Sequence, residues 1–134
     1  MPVVRLFAPA DTLSQQQIAN LQQRITDLMA EGLGKKASVT LVNVVPTDVR
    51  LWSVGGLPCG QDAPVAYLEA FITEGTNTPD EQAFFVQEAH RVLTEIIPNL
   101  ASPAYVLVRE VPAASWGYDG VTQEGRRNAA VAAG

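Results

Sequence analysis

Cysteine and histidine occur once each in these 134 residues, as Cys59 and His90. A single cysteine excludes an internal disulfide framework and fits a reducing compartment. One Cys with one His cannot supply the usual zinc ligand set. Basic charge is also scarce: nine Lys and Arg against 14 Asp and Glu leave a formal net charge of −5. A nucleic-acid binder normally carries a basic stripe, whereas the adjacent basic pairs here are only Lys35–Lys36 and Arg126–Arg127. Neither nucleic acid nor a membrane surface is therefore an expected partner. No apolar run approaches the roughly 20 residues of a spanning helix, and the start of the chain lacks the cationic and apolar regions of a secretory signal. The expectation is a cytoplasmic domain without metal or cofactor, long enough to bury its own core.

Within that frame the chain repeats itself. Ser14-Gln15-Gln16-Gln17 is answered 64 residues later by Thr78-Pro79-Asp80-Glu81. Each is a capping box, with a hydroxyl before the helix and a Gln or Glu three residues on, and Pro79 suits a first helical turn that needs no N–H there. Further along, "VPTDVRLWSVGG" (45–56) is answered by "VPAASWGYDG" (111–120). Trp52 with Trp116 and Gly56 with Gly120 keep the spacing of 64, while Pro46 and Pro112 stand 66 apart. A two-residue deletion followed by a two-residue insertion is the expected cause of that drift.

Each unit reads as strand, helix, strand. Ile18, Leu21, Ile25 and Leu28 form one apolar helical stripe, with Gly32 and Gly34 as stops; Phe85, Ala89, Val92 and Ile96 form the other, ended by Pro98. "SVTLVNVV" (38–45), "VAYLEAFIT" (65–73) and "YVLVREV" (105–111) read as strands, as does the start of the chain. The spacing predicts an α/β (α+β) domain over 1–120: a duplicated β-α-β unit (2–56 and 64–120) in one four-stranded mixed sheet, with two helices on one face. The other, largely apolar face would be bare, so a homo-oligomer is expected to turn it inward. Residues 121–134 show no periodic face and are expected to be an arm or a disordered tail.

The first strand opens on Pro2, which has no N–H for a sheet. If Met1 is removed, its nitrogen becomes a free secondary amine; if Met1 stays, it is an amide without basicity. That proline, the duplicated unit and the loops "EGTNTPDEQ" (74–82) and "VNVVPTDVRLWSVGGLPCG" (42–60) resemble the tautomerase superfamily. Its 4-oxalocrotonate tautomerase branch has one βαβ unit per chain; its macrophage migration inhibitory factor branch has two and forms trimers. The resemblance covers about residues 2–120. It implies a homotrimer and a keto–enol tautomerase of a 2-keto acid such as phenylpyruvate, with Pro2 as general base and acid. It also implies substrate-binding roles for Lys35 (or Lys36), for Tyr105 and for Trp116. A hydratase or decarboxylase on the same fold, or a non-catalytic trimeric scaffold that binds protein, are the alternatives. Thr76 and Tyr105 replace the arginines that grip a dicarboxylate in the single-unit branch, and Leu107 replaces an asparagine of the two-unit branch.

The chemistry agrees with these residue types. A hydrophobic pocket disfavours a charged amine and lowers its pKa, and a neighbouring Lys35 acts in the same direction. Lys35 or Tyr105 would hold a carboxylate or a developing oxyanion, and Val3, Leu6, Phe71 and Trp116 would supply an apolar wall. Arg109 shares the strand phase of Tyr105, so it either reaches a carboxylate or pairs with a local acid. His90 is expected on a solvated face, and Cys59 in a structural place.

Overall fold

The computed structural model of the protein describes residues 2–133. Strand β1 (Val3–Ala8) leads into helix α1 (Gln15–Leu33) and returns as β2 (Leu41–Pro46); a short hairpin of β3 (Ser53–Val54) and β4 (Leu57–Pro58) closes the first unit. The second unit repeats the order with β5 (Tyr67–Thr73), α2 (Pro79–Ile96), β6 (Tyr105–Val111) and a hairpin of β7 (Gly117–Tyr118) and β8 (Val121–Thr122). Four strands form one sheet in the order β2-β1-β5-β6. Each unit contributes a parallel pair, and the central strands β1 and β5 run antiparallel where the units meet. The expected mixed sheet from a duplicated β-α-β unit is present.

Both capping boxes form. Ser14 accepts from Gln17 N–H while the Gln17 side chain accepts from Ser14 N–H, and Thr78 with Glu81 does the same. Helix α1 buries Leu21, Ile25, Met29 and Leu33; α2 buries Phe85, Ala89, Val92 and Leu93. These meet Val4, Leu6 and Ala8 of β1 and Leu68, Ala70 and Ile72 of β5 in a single core, so both helices cover one sheet face. The alternation of β1 sends Val3, Arg5 and Phe7 to the other face, level with Phe71, Glu69 and Tyr67 of β5. That face is less apolar than its sequence suggested, because Arg5 and Glu69 sit opposite one another at its middle.

Several expectations need correction. Gly32 does not stop α1: it lies inside the helix, where a Cβ would come within 3.5 Å of the Phe84 ring of α2, so it serves helix packing. The stop is Gly34, left-handed at φ 70°. The second strand starts at Leu41, because residues 37–39 form a 3-10 turn. The Pro46–Pro112 drift is not an insertion and deletion. A spacing of 64 persists through the hairpins: Leu51 N–H donates to Asp48 O as Ser115 N–H does to Pro112 O, so Pro112 is the counterpart of Asp48. Leu6 belongs to the core rather than to a pocket wall, being fully buried beneath the helices. Residues 123–133, for which an arm or a disordered tail was expected, form a helix (α3, Gln123–Ala133) that buries no residue, which is compatible with an arm.

Candidate functional site

Strand β1 heads the sheet with Pro2, whose side chain is fully buried and whose carbonyl accepts the Leu41 N–H at 3.2 Å. Val3, next along, is level with Leu41 of β2 and Phe71 of β5, so Pro2 stands at the end of the sheet where β5 finishes. Met1, on whose removal the basicity of Pro2 depends, lies outside the described residues.

The same end receives Lys35. After Gly34 turns the chain, the Lys35 N–H closes the helix by donating to Met29 O at 3.0 Å. Its ammonium Nζ then donates to Thr76 Oγ1 at 2.8 Å. Thr76 lies in the β5–α2 connection and donates onward to Thr73 O at 2.6 Å. Asn77 pins this connection to α1 through a 2.9 Å bond from Nδ2 to Leu33 O. Partial burial lowers the pKa of the Lys35 ammonium below that of an ordinary lysine, and the Glu81 carboxylate offsets this in part. Lys36 is exposed, and its carbonyl accepts from Thr40 Oγ1. Of the two lysines, Lys35 is therefore the one tied to the sheet end.

Trp116 arrives from the other side. Its indole Nε1–H donates to Thr73 Oγ1 at 3.2 Å. Behind it the β7–β8 hairpin turns on Asp119 and Gly120, both at positive φ, as a two-residue turn of matching twist requires. Gly117 admits no side chain, because a Cβ there would overlap the Val121 carbonyl oxygen. Lys35, Thr76, Thr73 and Trp116 thus form one linked row beside the end of β5. Thr73, the one buried polar side chain among the described residues, escaped the sequence reading. The available signal was its place as a hydroxyl residue closing an apolar strand.

The remaining residues fall elsewhere. Arg109 is level with Phe71 and Val3, at the Pro2 end but on the open face, and it takes part in none of the ion pairs among the described residues. Tyr105 is level with Tyr67 at the opposite end of the sheet and is 67% exposed. The four-residue separation from Arg109 corresponds to about 13 Å along a strand. Tyr105 and Pro2 of one chain therefore do not meet. Val3 and Phe71 face the open side beside the Pro2 end, His90 is exposed, and Cys59 is half-buried and free.

Solved structures share this fold. Pt0534, solved inactivated by 2-oxo-3-pentynoate, superposes with a TM-score of 0.81 at 18% identity, over 92% of this chain and 98% of its own. The fold is that of the fused 4-oxalocrotonate tautomerases. A wild-type fused 4-OT in a symmetric trimer gives a TM-score of 0.80 at 12% identity, over 92% of this chain and 98% of that one. A member of the cis-3-chloroacrylic acid dehalogenase family gives 0.77 at 15% identity, over 97% and 90%. No protein-family model and no curated protein matches the chain in sequence. The fused-tautomerase likeness accordingly carries the fold, and the chemistry rests on the side chains.

Proposed function

We propose that the protein is a keto–enol tautomerase of 2-keto acids, phenylpyruvate being representative, with Pro2 as general base and acid once Met1 has been removed. The observation that supports this reading most is that buried Pro2 stands at the sheet end where β5 closes on Thr73, to which Trp116 bonds directly and Lys35 through Thr76. Burial disfavours a charged prolinium, and an ammonium at the same sheet end would act in the same direction, so a neutral amine would be available near neutral pH. In ketonisation the Pro2 nitrogen takes the enol O–H proton, and the O–H electron pair becomes the C=O π bond. The C=C pair then takes a proton at C3 from the prolinium. Atoms and charge balance without a cofactor.

Lys35 is positioned to offset a substrate carboxylate or the enolate oxygen, and Trp116 to flank an apolar tail. With Thr76 in place of an arginine, one cation stands at this end on the helix side, which suits a monocarboxylate. Related fused 4-OTs assemble as trimers. A trimer is the assembly expected of this chain as well.

The test is the ketonisation rate of phenylenolpyruvate, on protein whose intact mass shows Met1 absent, beside Pro2→Ala. The expected loss is about 10²-fold or more, the usual scale of a positioned acid–base group. A rate no faster than buffer, or one indifferent to Pro2, would end the proposal.

A further inference from the structure

The repeat builds the same scaffold a second time, around Ala66. Sixty-four residues separate Pro2 from Ala66, Lys35 from Asn99 and Trp52 from Trp116. The local geometry follows that spacing. Gly55 and Gly56 turn the first hairpin at positive φ, as Asp119 and Gly120 turn the second. Cys59 N–H donates to Trp52 O at 2.9 Å, as Gln123 N–H does to Trp116 O at 2.8 Å. Thr12 Oγ1 donates to Pro9 O at 2.8 Å, the counterpart of Thr76 on Thr73. A cavity of about 440 Å³ opens here, with Trp52, Ser53, Ala66, Tyr67, Pro103 and Tyr105 among its walls.

Its chemistry departs from the Pro2 site at the two decisive positions. The nitrogen of Ala66 is a mid-chain amide and cannot act as a base. Asn99 stands where Lys35 does, and no Asp, Glu, Lys or Arg among the described residues lines the cavity. The cation closest in sequence to Trp52, Arg50, is held by Asp48 at 2.7 Å. An anion entering this cavity would lose water without gaining a counter-charge. The rings of Trp52, Tyr67 and Tyr105 offer flat faces instead, and Tyr67 is fixed by stacking on Phe7 with centroids 5.7 Å apart. The hydroxyls of Ser53 and the tyrosines add a few hydrogen-bonding groups. Apolar walls with a few polar groups, at this volume, are what small-molecule sites present.

We infer that the Ala66 cavity is a second, non-catalytic binding site for a small neutral aromatic molecule. It uses neither Pro2 nor Lys35, so it stands or falls separately from the tautomerase reading. Tyr105 belongs to this cavity in its own chain, whatever it contributes to a second copy.

The probe is 2-naphthol, uncharged at neutral pH, titrated calorimetrically into the full chain. One molecule is expected per chain, and phenylpyruvate should not displace it. Pro2→Ala and Lys35→Ala should bind it as the unaltered protein does. Ser53→Trp, which fills the cavity from its exposed rim, should weaken binding at least tenfold while the far-UV circular dichroism is unchanged. Trp52→Ala should weaken it similarly and Trp52→Phe should retain most of it, which keeps the test intact if Ser53→Trp does not fold. Three results would overturn the inference: no heat up to the solubility of the probe, as when a second copy fills the cavity; displacement by phenylpyruvate; or binding lost with Lys35→Ala but kept with Trp52→Ala.

Discussion

Replacing Thr73 by valine removes one acceptor and changes little else. Thr73 closes β5 at 4% exposure, and its hydroxyl accepts the Trp116 indole N–H at 3.2 Å. Valine keeps the shape, so no cavity opens, but the donor loses its partner. An unpaired buried donor costs about 1–3 kcal/mol. Trp116 is only half-buried, so water reaches part of the indole and the lower end, about 1 kcal/mol, is expected. The double-mutant cycle isolates this bond. In a Trp116→Phe background, where no donor exists, Thr73→Val should cost close to nothing. Urea unfolding followed by far-UV circular dichroism reads both, at one fixed chain concentration because assembly shifts apparent stability. An equal cost of Thr73→Val in the two backgrounds would show that the hydroxyl does not hold the tryptophan, and the linked row beside Pro2 would lose its middle.

Other expectations follow from single contacts. Thr78→Ala removes the hydroxyl that accepts Glu81 N–H at 3.1 Å and should cost about 1 kcal/mol in the same urea assay; Thr78→Ser should restore it. Gly117→Ala sets a Cβ against the Val121 carbonyl and should open the β7–β8 hairpin, seen as a red shift of tryptophan emission and loss of the amide protection of residues 117–122. Lys35 has a lowered pKa, chiefly from burial, so its charge is lost at lower pH than an ordinary lysine's. KM for a 2-keto acid should therefore rise on the alkaline side before free lysine would titrate, and Lys35→Arg should move that rise to higher pH. The sign for stability is the opposite. The unfolded chain holds this proton more tightly, so stability rises with pH between the folded and unfolded pKa of Lys35.

The elements that sequence revealed are those governed by local chemistry. Capping boxes depend on residues three apart, and both formed as read. The strand over residues 105–111 matched to the residue because β-branched alternation is a local property. The repeat was legible from Trp52 and Trp116 together with Gly56 and Gly120, since a two-residue turn at positive φ tolerates few residue types. Contacts across the chain were not legible. Gly32 read as a stop because nothing nearby announced Phe84, 52 residues on. Leu6 read as pocket wall because alternation gives two faces without saying which one the helices cover. Thr73 and Thr76 connect Lys35 to Trp116 only after α1, β5 and the second hairpin have met. Tyr105 shares a strand phase with Arg109, yet register places it at the far end of the sheet. Helix α3 left no apolar period because it buries no residue.

The Pro2 nitrogen can act as a base only if it is neutral near neutral pH, which an NMR pH titration of 15N-labelled Pro2 reads, in protein shown by intact mass to begin at that residue. The amine should titrate below its own value in the urea-unfolded chain, and move upward when Lys35→Ala removes the charge at that sheet end. An amine that titrates at or above its unfolded value, unmoved by Lys35→Ala, would leave Pro2 as the first residue of a strand and refute its role as the base.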